Sequence, residues 1–218
     1  MKTFRLTALA TVLLASAGAS AQTYYYSDQA SSGPQFYGAV TYQLGIPIGN
    51  TYNYVQDVSW RGIGLDLQWM VKPTLSVGVA FGWNVFYENV TTTINTVPGG
   101  VPSGTGVSIY GNQDRNFNFF PLLADVRFVP KLKNGVRPFL GVGVGGYITT
   151  QQLGIGLYSF SQTAFQFGLA PELGVIIPVE GGAGIQISFR YNMAFAGGGI
   201  SFQQWLGMNV GVAWGPGI

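Results

Sequence analysis

The sequence predicts an all-β protein: a transmembrane antiparallel up-and-down β-barrel of eight strands, with short periplasmic turns and longer extracellular loops. Three observations predict it. Charged residues make up 8% of the 218 residues and aromatics 15%. Soluble domains carry roughly 25% charge, so this chain cannot furnish a water-facing surface. No segment after the N-terminal stretch reaches the ~18 uninterrupted apolar residues of a membrane helix. Instead, runs with period-two alternation recur, and a sheet closed on itself pairs every backbone N–H and C=O inside a bilayer.

The chain opens on an export signal. Lys2 and Arg5 precede an apolar or small run over residues 6–17, and Ala19-Ser20-Ala21 supplies the small-x-small cleavage pattern. The run is too short to cross a hydrocarbon core of roughly 30 Å. Residues 1–21 are therefore expected to be a cleaved signal peptide. Residues 22–34, with Tyr24-Tyr25-Tyr26, are expected to form an N-terminal periplasmic segment, and 35–218 the barrel domain in a bacterial outer membrane. Without Lys2 and Arg5, the 10 basic residues fall to 8 and balance the 8 acidic ones. No basic run interleaved with aromatics remains, which excludes nucleic-acid binding. The absence of cysteine excludes a disulfide framework or a thiolate site.

The expected strands follow in order. The first covers 36–48. In the second, Ile63, Leu65, Leu67 and Trp69 alternate with Gly64, Asp66 and Gln68. In the third, Leu75, Val77, Val79, Phe81, Trp83, Val85 and Tyr87 oppose Ser76, Gly78, Ala80, Gly82 and Asn84. Segments 117–129 and 138–149 are the fourth and fifth. The sixth, 165–179, sets Phe165, Phe167, Leu169, Leu173, Val175 and Ile177 against Gln166, Gly168, Ala170, Glu172 and Gly174. In the seventh, 184–195, Ile185 to Phe195 alternate with Gln186, Ser188, Arg190 and Asn192. The eighth places Leu206, Met208, Val210, Val212 and Trp214 opposite Gly207, Asn209, Gly211 and Ala213. Pro121 and Pro171 are expected to mark bulges, since proline cannot donate to the ladder. Connections at 71–74, 130–137 (with an Asn134-Gly135 turn pair) and 180–183 are short. The other four are longer, notably 88–116, rich in Thr, Gly, Pro and Asn.

A soluble barrel would wet the less apolar face. That face is mostly Gly, Ala, Ser, Asn and Gln, a poor solvent surface but suitable filling for a lumen only wide enough for side chains. Five charges fall on it: Asp66, Asp125, Arg127, Glu172 and Arg190. Charges in a narrow interior must pair or stay solvated, and here they form a polar plug or a rearrangeable gate. Trp60, Trp69, Trp83, Phe86, Tyr87, Phe128, Phe195, Trp205 and Trp214 collect near strand ends, as interfacial girdles do.

Two motifs carry a family resemblance. The run Pro138-Phe139-Leu140-Gly141-Val142-Gly143-Val144-Gly145-Gly146-Tyr147 resembles the glycine-rich strand of small eight-stranded outer-membrane proteins of the OmpA, OmpX and OmpW type, the porin-family β-barrels. Asn118-Phe119-Phe120-Pro121-Leu122-Leu123 resembles their Pro-Leu strand entry. The resemblance spans 35–214. It implies an envelope barrel and, by likeness to the OmpA type, a gate in which Arg127 or Arg190 moves among the carboxylates. Such barrels usually end on an aromatic residue; this sequence ends Trp214-Gly215-Pro216-Gly217-Ile218, leaving Trp214 as the candidate assembly signal.

Enzymes of this architecture resemble it in fold but use histidine, and this chain has none, so no Ser-His or His-Asp constellation can form. No metal-ligand spacing stands out. The glycine run is not a phosphate loop, because no helix follows it and no lysine stands at the required position. Asn89-Val90-Thr91 matches a glycosylation sequon incidentally. The expected role is a non-enzymatic structural or interaction component, without cofactor. Its partners are outer-membrane lipid and an envelope or extracellular protein met by the long loops. The alternative is a narrow channel for small polar or hydrophobic solutes. Inward glycines at 78, 82, 141, 143 and 145 would favour the channel, and inward Phe139 and Tyr147 the plug.

Overall fold

Alternating apolar and small polar residues are the signature of a sheet with two different surroundings, and the computed structural model resolves how that sheet closes. It describes residues 35–94, 109–133, 135–155, 158–179 and 181–216. The expected export signal and N-terminal segment lie outside the described residues. The strands are β1 (Gln35–Ile48), β2 (Arg61–Lys72), β3 (Leu75–Ile94), β4 (Ile109–Phe128), β5 (Arg137–Ile155), β6 (Tyr158–Val179), β7 (Ala183–Ala194) and β8 (Gln203–Trp214). One short helix, α1 (Asn50–Tyr54), follows β1. Every strand pairs antiparallel with its neighbours in chain order, and β8 pairs back onto β1.

The register fixes the barrel's dimensions. Partner by partner, Gly38 of β1 leads through Leu67, Val79, Ala124, Val144, Leu169, Met193 and Gln204 back to Ile48 of β1. One circuit thus returns ten residues further along the same strand, from 38 to 48. For eight strands this stagger means a tilt of roughly 40° and an interior that side chains can fill.

The outer wall has a sharp edge. Trp83 stacks on Phe120, with centroids 6.1 Å apart; Phe120 is registered with Ile148, and Ile148 with Phe165. The next outward positions are Val85, Asn118, Thr150 and Thr163, also mutual partners, and Thr150 and Thr163 share a hydroxyl hydrogen bond of 3.0 Å. Below the line, outward side chains are apolar down to Phe128 on β4, and many of them are exposed. Residues 120–128 rise roughly 20 Å at this tilt, comparable to the ~25 Å apolar band of outer-membrane barrels.

Three expectations need correction. Within the connection expected at 88–116, residues 88–94 and 109–116 are strand, because β3 runs on to Ile94 and β4 starts at Ile109. The fifth connection likewise shrinks, with β5 reaching Ile155 and β6 starting at Tyr158. β3 to β6 therefore project above the apolar band as a four-stranded sheet. Finally, Pro121 and Pro171 make no bulge. The β3–β4 and β6–β7 registers continue unshifted across them, each proline removing a donor on one side of its strand while the other ladder stays unbroken. The register shift that does occur lies at Met70/Lys72, beside a short turn.

Candidate functional site

The lumen is filled in layers. Nearest the short turns, Tyr37, Met70, Val129, Phe139 and Ile176 form a buried apolar cluster. Above it, the period-two pattern aims five charges from four strands at one another: Asp66 (β2), Asp125 and Arg127 (β4), Glu172 (β6) and Arg190 (β7). Arg127 Nη2 lies 3.1 Å from Asp66 Oδ2, 2.8 Å from Asp125 Oδ2 and 3.0 Å from Glu172 Oε2. Arg190 Nη2 lies 3.0 Å from Asp66 Oδ1 and 2.8 Å from Glu172 Oε2, and its Nε donates to the same Glu172 oxygen at 3.2 Å. Ser188 Oγ donates to Glu172 Oε1 at 2.6 Å, Asn209 Nδ2 to Ser188 Oγ at 3.1 Å, and Gln186 Nε2 to Asp66 Oδ2 at 3.2 Å. The Arg127 guanidinium carbon sits 5.0 Å from the centroid of the Phe139 ring, within cation–π range. All five charges are buried. Among the described residues no group of three or more His, Cys, Asp or Glu is placed to hold a metal ion.

An aromatic layer lies on the other side of the charges. Trp205 stacks on Phe119 at 4.3 Å and meets Phe86 and Tyr147 edge-on at 6.1 and 5.7 Å. Phe117 stacks on Phe119 at 5.2 Å, and Tyr54 of α1 meets Phe117 edge-on at 4.8 Å. Tyr147 OH donates to Asn192 Oδ1 at 3.2 Å. The helix closes this mouth. Thr51 Oγ1 donates to Gln203 Oε1 at 2.8 Å and accepts from Gln204 N at 2.9 Å. Tyr54 OH donates to the Gln152 carbonyl at 2.8 Å, and Arg115 Nη1 to the Tyr54 carbonyl at 3.3 Å. Burial pushes the Tyr54 hydroxyl above its usual range.

No protein-family model and no curated sequence matches the chain. Solved structures do. Neisserial surface protein A is 13% identical with a TM-score of 0.57, over 82% of this chain and 96% of that one. Ail, the attachment invasion locus protein of Yersinia pestis, solved with the heparin analogue sucrose octasulfate, is 12% identical with a TM-score of 0.50, over 83% and 99%. The chain has the fold of the small outer-membrane β-barrels.

On the outside of this outer-membrane-type barrel, Trp69, Phe128 and Trp214 face outward near the short turns, and Phe36 packs on Trp69 at 5.5 Å. Trp60, Trp83 and Tyr87 face outward near the opposite end, and Phe195 packs on Phe202 at 5.9 Å. Trp205 corrects the expected girdle. It is 0% exposed, because β8 begins at Gln203 and Trp205 shares the inward parity of Asn209 and Ala213. Phe86, also 0% exposed, is inward for the same reason, sharing parity with Asn84 and Ala80.

Tyr147, Phe117, Phe119 and α1 were not singled out as site residues by the sequence beyond the conditional mention of Tyr147. Neighbouring atoms occupy the space that side chains at the inward glycines would enter. A Cβ at Gly141 would lie 2.6 Å from Arg127 Cγ, and one at Gly78 2.5 Å from Gln68 Nε2. Gly168 is the most closely approached of those under the aromatic layer: its Cβ would lie 2.1 Å from the Met193 carbonyl oxygen and 2.6 Å from Tyr147 Cε2. Gly168→Ala is expected to destabilise the barrel by about 1–3 kcal/mol through overpacking. The midpoint of urea unfolding from lipid vesicles checks this.

Proposed function

We propose that this protein is an integral outer-membrane protein, reached by export, whose barrel is a plugged, non-enzymatic anchor and whose projecting sheet makes contacts outside the cell. The observation that carries the reading is the filled lumen: apolar cluster, charge layer, aromatic layer and α1 succeed one another along the axis. A channel would need a path through all four. The five charges act as a plug rather than a gate, since each guanidinium is held by two or three carboxylates between closed layers. The aromatic rims near both ends suit headgroup depth, where amphipathic rings are favoured.

The projecting sheet supplies the contact surface. Its outward side carries Asn89, Thr91, Asn112, Asn116, Asn118, Thr150, Gln152, Ser161 and Thr163, with Asp114 the charged member. Tyr87 OH and Asn89 Nδ2 each donate to Asp114 Oδ1 at 2.7 Å, which holds that carboxyl below its usual range. Amides and hydroxyls on a regular sheet fit an uncharged hydrogen-bonding partner. A polyanion such as the heparin analogue bound by Ail would instead need a basic field, and this end carries Asp57, Glu88 and Asp114 against Arg61 and Arg115.

The wild-type protein should show no stepwise conductance in planar bilayers, and its proteoliposomes should not swell in isotonic arabinose. Steady single-channel steps, or swelling above that of empty liposomes, would sink the plugged-anchor reading.

A further inference from the structure

We infer that a cleft on the outer wall, between Trp60, Arg61 and Tyr87, binds the phosphorylated sugar headgroup of a surrounding lipid. The cleft has a volume of about 460 Å3 and lies where the pairing with β2 stops at Val85 and β3 continues upward paired with β4 only. Its floor is Ser59 and Val85, both buried, its flanks are the exposed rings of Trp60 (67% exposed) and Tyr87, and its rims are Asp57 and Arg61.

Position comes first. Val85 is the last apolar outward residue of β3, one step above Trp83, so the cleft lies at the upper edge of the apolar band. An amphiphile with its chains against the band places its headgroup at that height. Arg61 faces outward there. Among the described residues it is the only cation on the outer wall at this end of the barrel, and no carboxylate lies within ion-pairing distance of it. An unpaired guanidinium beside apolar surface is a strong receptor for phosphate, which it can engage through two parallel hydrogen bonds.

The second observation is that the site is built. Ser59 forms a two-way backbone bridge with Gly45, at 2.9 and 2.7 Å. Ser59 Oγ donates to the Val85 carbonyl at 2.5 Å, and Tyr42 OH donates to the Trp60 carbonyl. Tyr87 is held by Asp114 at 2.7 Å. The segment bearing Trp60 and Arg61 is therefore pinned before any ligand arrives, which lowers the ordering cost of binding. The third is the division of chemistry. Asp57 and Arg61 line the same space without pairing, so one ligand can meet both. A phosphate suits Arg61, sugar hydroxyls suit Asp57, and the apolar face of a sugar ring suits Trp60 and Tyr87. A plain phosphodiester lipid would use the first of these contacts alone.

The inference rests on the membrane placement proposed above, and co-flotation of the full chain with liposomes tests that placement separately. The site itself is tested by native mass spectrometry of the protein released from micelles doped with one amphiphile at a time. The probes are a lipid carrying glucosamine 1-phosphate, the same lipid dephosphorylated, phosphatidylglycerol, and free glucosamine 1-phosphate. The phosphorylated glycolipid should be retained, and Arg61→Ala should cut retention about tenfold, as expected on loss of a charge-assisted contact. Trp60→Ala should cut it several-fold, and Lys72→Ala, at the opposite end, should leave it unchanged. Folding of each variant is checked by the mobility shift between boiled and unboiled samples. Equal retention by Arg61→Ala, or of the dephosphorylated lipid, overturns the phosphate contact; equal retention of phosphatidylglycerol overturns the sugar contact. Binding of the free sugar phosphate as tight as that of the lipid overturns the lipid as its source.

Discussion

Arg127→Ala should lower the unfolding free energy of the inserted barrel by about 3–5 kcal/mol, the usual cost of removing one partner from a buried ion cluster. Arg127 touches three carboxylates, on β2, β4 and β6, so its loss leaves Asp66 and Glu172 to share Arg190. Asp125 then has no guanidinium within reach, since its one ion pair is with Arg127. Arg190→Ala should cost less, because Arg127 still reaches both of the carboxylates that Arg190 holds. Arg127→Lys should recover only part of the loss, because one ammonium cannot span three acceptors as a planar fork does. Urea titrations from lipid vesicles, read by the boiled-versus-unboiled gel shift, give the ranking. An Arg127→Ala midpoint within error of wild type would mean the network contributes nothing to holding the strands in place.

Trp205→Ala is the second large effect, at about 3–5 kcal/mol for an excised buried aromatic side chain. Trp205 contacts Phe119, Phe86 and Tyr147, on three different strands, so the cavity lies at the centre of the aromatic layer and its walls cannot all collapse together. Trp83→Ala on the outer wall is the contrast. It removes a ring that lies against Phe120 on one side only, and lipid can fill the gap, so its cost should be clearly smaller. Equal midpoints for the two variants would return Trp205 to the membrane-facing girdle. Trp205→Ala should also stay silent in planar bilayers, since the charge layer below remains closed.

These two residues show how far the sequence could be read. Arg127 was legible because lipid outside and a packed lumen inside impose opposite demands on alternate residues, and a charge on the small-residue face has only one place to go. The same alternation pointed to Trp205 at odd parity with Asn209 and Ala213, but Gly207 and Gly211 blur the inward face and hide the start of β8. The upper halves of β3 and β4 were illegible for a different reason. Beyond Phe86 and Phe117 the inward Glu88, Gln113 and Arg115 are as polar as the outward Asn89, Asn112 and Asn116, so the contrast that marks a strand vanishes and these stretches read as loop. α1 has five residues, too few for helical periodicity to register, and it is held by side chains of β4 and β8 and a carbonyl of β5 that only the closed barrel brings near.

The register between β1 and β8 has a kinetic meaning. Seven of the eight strand pairs join chain neighbours and can zip as hairpins, whereas the eighth joins Gly38 to Trp214 and Ile48 to Gln204, partners separated by nearly the whole described chain. Contacts so distant along the sequence are the slowest to form, because their loop entropy is spent before any bond rewards it. Until that seam closes, β1 and β8 each expose an unsatisfied edge, intolerable in hydrocarbon. Asp66 and Arg190, on strands flanking the seam, also stay out of reach of each other. Insertion, charge pairing and plugging thus become one event, governed by the meeting of the first strand with the last.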